Sequence, residues 1–203
     1  MTTLVVDRST ELQSLAIVEG GALVAETTLE GTDSRSGDWV VKTRDFLGGR
    51  RPSRIVVGTG PGSFAGVRAA LAFAQGWALG SGCEVVGLPS PCAYAREGGP
   101  LAVVGDARRG KFWLALFDGC NLVTPVFQVE GAEELERRVP LSVRVVTPDA
   151  KRIGSVLKET FRGRYDESAG EPTAAGLARA FIANPSLLKS EPLPLYLNPA
   201  VRD

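Results

Sequence analysis

The order of segments along the chain predicts an α/β protein made of two mixed sheets with helices packed on them. Three observations carry that expectation. Strand-like and helix-like segments run β-β-β-α-β-α-β-α over the first hundred residues, and the pattern restarts after Gly98-Gly99-Pro100. Asp7 and Asp106 stand at the same place in the two halves, each at the end of a first strand and before a hairpin. Within the first half, one strand drops into a glycine loop that opens a long apolar helix. The halves share pattern rather than identities, so the reading is a structural duplication with domains at 1–100 and 101–203.

Each element follows from local chemistry. Leu4–Asp7 is a short apolar run suited to a buried strand, and Ser14–Glu19 and Ala22–Thr28 flank a Gly20-Gly21 hairpin turn. Gly31–Gly37 reads as a polar loop. Asp38 is placed to cap a helix whose Trp39, Thr43, Phe46 and Leu47 share a face. Arg54–Gly58 is a fourth strand, Phe64–Gly80 a helix, Val85–Leu88 a fifth strand, and a short helix is expected near Pro91–Arg96. In the second half, Leu101–Asp106 and Lys111–Phe117 are strands around the turn Ala107-Arg-Arg-Gly110. Leu122–Val129 follows as a third strand after Asp118–Asn121. Glu133–Arg138 is helical, Val143–Val146 a strand, and Ala150–Phe161 and Ala174–Ala183 helices.

The stretch Arg54-Ile-Val-Val-Gly-Thr-Gly-Pro-Gly-Ser-Phe-Ala-Gly-Val-Arg68 is the most informative in the chain. Strand, glycine loop and helix N-terminus together expose backbone N–H groups and the positive end of a helix dipole. Such a corner either holds a phosphate or carboxylate, or simply turns the chain, with Pro61 and Gly62 in the turn and Ser63 as the cap. It is not a Walker loop, because no Gly-Lys-Ser/Thr closes it. A dinucleotide fingerprint would need a glycine where Ser63 stands. A nucleophile elbow would need glycines where Pro61 and Ala65 stand.

Composition narrows the chemistry further. The chain has 203 residues and no histidine, which removes Ser-His and Cys-His catalysis and any imidazole metal site. Net charge is zero, so no global field draws nucleic acid to it. Apolar residues make up 44%, enough for packed cores. Cys83, Cys92 and Cys120 form no C-x-x-C pair and fit reduced thiols of a cytoplasmic protein. No leader is expected, because the N-terminus runs directly into a strand, and no apolar run approaches a membrane span.

The segment Gly60-Pro-Gly-Ser-Phe-Ala-Gly-Val-Arg68 closely resembles the signature of the bacterial TsaB family, also called YeaZ. Asp106-Ala-Arg-Arg-Gly-Lys-Phe-Trp113 resembles that family's second hairpin, and Pro194-Leu-Tyr-Leu197 its C-terminal segment. The resemblance implies an actin-like (ASKHA), duplicated ribonuclease-H-like fold. It also implies a non-catalytic scaffold for the catalytic subunit TsaD in tRNA threonylcarbamoyladenosine biosynthesis, with the ATPase TsaE as third partner and a homodimer when alone. TsaD holds its metal with histidines, and this chain has none to offer. The chain departs from the family where Ala65 replaces a threonine, Arg8 replaces a hydroxyl residue, and Ser34-Arg-Ser36 lacks a common histidine.

Three functions compete. The first is an interaction protein acting through the helix faces. On the long helix, Ala65, Ala69, Ala72 and Gly76 form a small-residue stripe, beside Phe64, Val67 and Leu71 with Trp77 further along. Trp39, Phe46, Phe64, Ala65, Arg68, Ala69, Leu71, Ala72 and Gly76 are the expected partner surface, with no metal or required cofactor. The second is an actin-like phosphotransferase or ATPase working between Asp7 and Asp106. Asp7, Ser9 and Thr10 would form one jaw, and Asp106 with Arg108, Arg109, Gly110 and Lys111 the other. Gly60, Gly62 and Ser63 complete the residues able to touch ATP or ADP phosphates; equally, each aspartate could cap its own turn. The third is direct tRNA binding through Arg108, Arg109 and Lys111, a small basic footprint in a chain of zero net charge. The first reading leaves tRNA as an indirect partner only.

Overall fold

The computed structural model describes residues 1–29, 37–96 and 98–197. Of the expected loop Gly31–Gly37, all but Gly37 lies outside them, Ser34-Arg-Ser36 included. In chain order the elements are β1 (Thr2–Asp7), β2 (Ser14–Glu19), β3 (Ala22–Thr28), α1 (Asp38–Leu47), β4 (Arg54–Gly58), α2 (Phe64–Ser81) and β5 (Glu84–Leu88). A 3-10 turn over Ser90–Tyr94 leads on to β6 (Pro100–Arg108), β7 (Lys111–Asp118), β8 (Asn121–Leu122), β9 (Phe127–Glu130) and α3 (Gly131–Arg138). Then come β10 (Arg144–Val146), α4 (Ala150–Thr160) and α5 (Ala174–Ala183).

The first sheet has strand order β3-β2-β1-β4-β5. β1 pairs antiparallel with β2, opposing Val5 to Ala16, and parallel with β4, opposing Val5 to Val56. β4 pairs parallel with β5. The central strands are buried on both faces, which is why β1 and β4 read as unbroken apolar runs. Leu4, Val6, Leu15, Ile17, Ile55 and Val57 pack under α1 and α2, against Trp39, Leu47, Val67, Ala70, Leu71 and Ala74. Each such side chain contributes about 1.5–3 kcal/mol when fully buried.

The second sheet repeats the plan. β6 pairs antiparallel with β7 and parallel with β10, as β1 pairs with β2 and β4. Ala102, Val104, Phe112 and Leu114 pack beneath α3 and α4, through Leu135, Ile153, Leu157 and Phe161. Each of these two mixed sheets is a hairpin joined to a parallel strand with helices packed on it, the two-sheet α/β plan expected from the order of segments.

Several local readings change. The single strand expected over Leu122–Val129 is split into β8 and β9, with Pro125 between them unable to donate to a ladder. α1 is preceded by Gly37 without a side-chain cap, and Asp38 sits inside its first turn, where its charge suits the helix dipole. The chain forms two compact units: Met1–Ala93 with Pro172–Leu195, and Tyr94–Glu171 with residues 196–197. A single seam near residue 100 does not describe this. α5 belongs with the first sheet, where it packs on β1, β2 and β3. Its Thr173 cap binds the Gly176 N–H, and Ser14 Oγ of β2 accepts the Ala174 N–H at 2.8 Å. Among the described residues, no helix is long and apolar enough to cross a membrane.

Candidate functional site

The glycine loop is wrapped around the end of β1. A Cβ on Gly58 would lie 1.9 Å from Asp7 Oδ2, on Gly62 2.1 Å from the Ser9 carbonyl oxygen, and on Gly66 2.0 Å from the Arg8 carbonyl oxygen. Three glycines at four-residue spacing therefore let the loop and the first turn of α2 close on Asp7-Arg8-Ser9. Gly66 lies inside a helix, where periodicity gives no reason for a glycine. The four-residue spacing was the available signal for it.

Three of the loop's N–H donors are engaged within the domain. Thr59 N–H donates to Leu88 O at 2.9 Å, Gly60 N–H to Ser90 Oγ at 3.1 Å, and Ser63 N–H to Ser9 O at 2.6 Å. Ser63 Oγ accepts the Gly66 N–H, so Ser63 is the N-cap of α2. Leu195, from the Pro194–Leu197 segment, donates its N–H to Thr59 O at 2.9 Å.

Asp7 is sealed beneath this loop. It accepts from Ser9 N–H at 2.8 Å, Ser9 Oγ at 2.7 Å and Ser90 Oγ at 2.7 Å. Neither Asp7 nor Ser9 presents surface to a phosphate, because both are buried under the loop. Thr10 is half-buried, and its hydroxyl lies 3.5 Å from Leu12 O. Gly62 and Ser63 remain exposed at the corner. Arg8 is also fully buried, its guanidinium 4.1 Å over the Trp39 ring, and burial lowers its pKa to about 10. Sequence alone did not suggest that an arginine at this position points into the core.

Burial pushes the Asp7 carboxyl above its ordinary 3.8, against hydrogen bonds from Ser9 and Ser90 that pull the other way. The folded chain then holds this proton more tightly than the unfolded one. Below pH 3.8 both states carry it; as pH rises toward the folded value, the unfolded state ionises first and the protein loses stability. Asp7→Asn lacks this loss. Urea midpoints of both proteins across the acid range should therefore shift in favour of the variant as pH rises, and a constant difference would refute the assignment.

In the second unit Asp106 is half-buried and neutralised by arginines. Its Oδ1 accepts the Arg108 N–H at 2.7 Å, and its Oδ2 lies 3.2 Å from Arg152 Nε and 3.4 Å from Arg108 Nη1. Asp149 Oδ2 accepts the Asp106 N–H at 2.8 Å and Asp149 also pairs with Arg152. Neither Asp149 nor Arg152 was singled out from the sequence. Lys111 pairs with Glu130 at 2.6 Å. Arg108 and Arg109 sit at φ of 69° and 55°, followed by Gly110 at 73°, so two arginines hold a left-handed conformation costing roughly 1–2 kcal/mol each. Among the described residues, no three of His, Cys, Asp or Glu gather as a metal-binding group.

The expected partner surface divides in two. Trp39 and Leu71 are 4% and 5% exposed and belong to the domain core, not to a surface. Trp39 stacks edge-on against Phe73 at 4.9 Å, and Leu71 faces the sheet. Phe46 and Ala69 are half-buried against the same core. In contrast, Ala65, Arg68, Ala72 and Gly76 are exposed along one face of α2, together with Phe64 at 57% and Leu79 at 91%. Arg68 lies 3.9 Å over the Phe64 ring. A Cβ on Gly76 or Gly80 would meet nothing within 4 Å, so the face is flat and open to a close approach. α1 adds exposed Val40 and Val41.

The comparisons with known proteins concern both fold and motif. The family model for TsaD, tRNA N6-adenosine threonylcarbamoyltransferase, matches residues 49–122, from the approach to β4 through β8. No curated protein matches the chain. Two solved structures from Pseudomonas aeruginosa share the fold. One is a protein with similarity to peptidase YeaZ, at TM-score 0.71 and 20% identity; the match covers 97% of this chain and 99% of that one. The other is YeaZ, at TM-score 0.69 and 21% identity, with the same coverage. These likenesses agree with the resemblance read from Gly60–Arg68.

Proposed function

We propose that the chain is a non-catalytic TsaB (YeaZ)-type subunit of the tRNA threonylcarbamoyladenosine machinery, which docks on and supports a TsaD-type catalytic subunit. The observation that carries this reading is the solvent-facing stripe of α2. A helix apolar on most of its circumference, with one face on its own sheet and a flat small-residue face left open, is suited to a second helix. The end-to-end likeness to YeaZ supports the same assignment. In isolation the open face would pair with a second copy. A TsaE-type ATPase is the third partner and the cytoplasm the compartment.

The non-catalytic part of the proposal rests on the carboxylates. Asp7 spends both oxygens on Ser9 and Ser90, and Asp106 is neutralised by Arg108 and Arg152. Neither is arranged to hold a metal or orient a water, as phosphoryl transfer requires. The chain needs no cofactor of its own. ATP or ADP held in the assembly would meet the exposed Gly62-Ser63 corner rather than Asp7. Size-exclusion of the chain mixed with a TsaD-type subunit tests the reading. Co-elution is expected, with no ATP hydrolysis by the chain alone. Separate migration, or steady turnover lost in Asp7→Ala, overturns it.

A further inference from the structure

We infer that the β6–β7 hairpin tip and the start of α4 form a phosphate-reading shelf that contacts the backbone of a structured RNA directly. The carboxylates of the cluster lie inward and the guanidinium groups outward. Asp106 and Asp149 side chains are 14% and 12% exposed, while Arg108 and Arg152 are 68% and 46% exposed. The acids thus orient the arginines and leave solvent facing positive groups. Each guanidinium has five N–H donors, and these ion pairs use only part of them. Arg109 is exposed and has no carboxylate partner among the described residues. The N-terminus of α4, an eleven-residue helix, adds its dipole on the same side through Asp149 and Arg152.

The backbone of the hairpin tip is unusual in its own right. Arg108 pairs with Lys111 across a two-residue turn of Arg109 and Gly110. The first position of such a turn, at positive φ, favours asparagine, aspartate or glycine. An arginine there runs against local preference, and its side chain rather than its backbone accounts for it. Planar, outward guanidinium forks suit phosphodiester oxygens better than single carboxylates. The stretch matched by the tRNA-modifying family model includes this hairpin, which favours RNA over an acidic protein. The inference rests on the proposed function only for the identity of the nucleic acid.

Fluorescence anisotropy of a labelled tRNA, titrated with the full chain over a range of salt, tests it. Arg109→Glu is expected to weaken binding by about tenfold or more and to reduce the salt slope by about one. Arg51→Glu, an exposed arginine of the first unit, makes the same change in net charge and should leave affinity nearly unchanged. Arg109→Gly removes the charge and relieves the turn, so it should raise Tm while weakening RNA binding, which excludes misfolding as the cause. No RNA binding by the native chain at low salt, or equal losses for Arg109→Glu and Arg51→Glu, overturns the shelf. So does a loss confined to an acidic peptide probe. Arg109→Glu should still co-elute with the TsaD-type subunit. If the native chain binds RNA through Arg109 yet never co-elutes, the docking proposal fails and the shelf stands.

Discussion

Gly66→Ala is expected to cost about 1–3 kcal/mol of stability, although alanine is the better helix former. Propensity alone favours alanine by about 0.8–1 kcal/mol in a helix interior. Here the added Cβ would stand 2.0 Å from the Arg8 carbonyl oxygen and 3.1 Å from Ser63 Oγ. The first neighbour is backbone, between a buried carboxylate and the Ser9 carbonyl that holds the Ser63 N–H, so it cannot move aside alone. Forcing an extra carbon into a packed site costs roughly 1–3 kcal/mol, occasionally more. Disturbing the Ser63 cap would add about 1 kcal/mol. The clash therefore outweighs propensity. Gly76→Ala on the same helix is the control, because its Cβ meets nothing within 4 Å. It should gain close to the full propensity term. Urea unfolding of the two variants reads both signs, and a Gly66→Ala protein as stable as the parent would disprove the close contact.

Ala72→Glu should abolish docking on the TsaD-type subunit, and self-association in its absence, while the chain stays folded. Ala72 is exposed on the open face of α2, so the free protein can hydrate the new carboxylate at little cost. In a close helix–helix contact the same carboxylate loses water and finds no partner, a penalty of several kcal/mol. About 3 kcal/mol is more than a hundredfold in Kd. Ala69→Glu should behave differently, because Ala69 is half-buried against the domain core and its substitution weakens the fold as well. Circular dichroism with a pull-down separates the two, and sedimentation reads the self-association. A folded Ala72→Glu variant that binds with unchanged affinity would remove this face from the proposal.

The sequence by itself determined most of the elements and their order, the split of the strand expected over Leu122–Val129 into β8 and β9 excepted. The apolar runs of β1 and β4 have the composition of strands buried on both faces. Ser63 at one end of α2 and Gly82, at φ of 70°, at the other mark its limits by local chemistry. The duplication was legible for the same reason, since pattern repeats even where identities do not. Those features depend on residues a few positions apart.

Only the tertiary structure decided which surfaces stay open. α2 is apolar nearly all round, so its periodicity could not say that Leu71 faces inward and Ala72 outward. Trp39 looked like an interface anchor, yet it is held in the core by Phe73 and Arg8. α5 returns to the first sheet through Ser14, 160 positions away along the chain. The need for glycine at 66 comes from the Arg8 carbonyl, and the seal on Asp7 from Ser90. Each of these is a contact between segments far apart in sequence. Burial and steric exclusion act on distance in space, which local propensity does not encode.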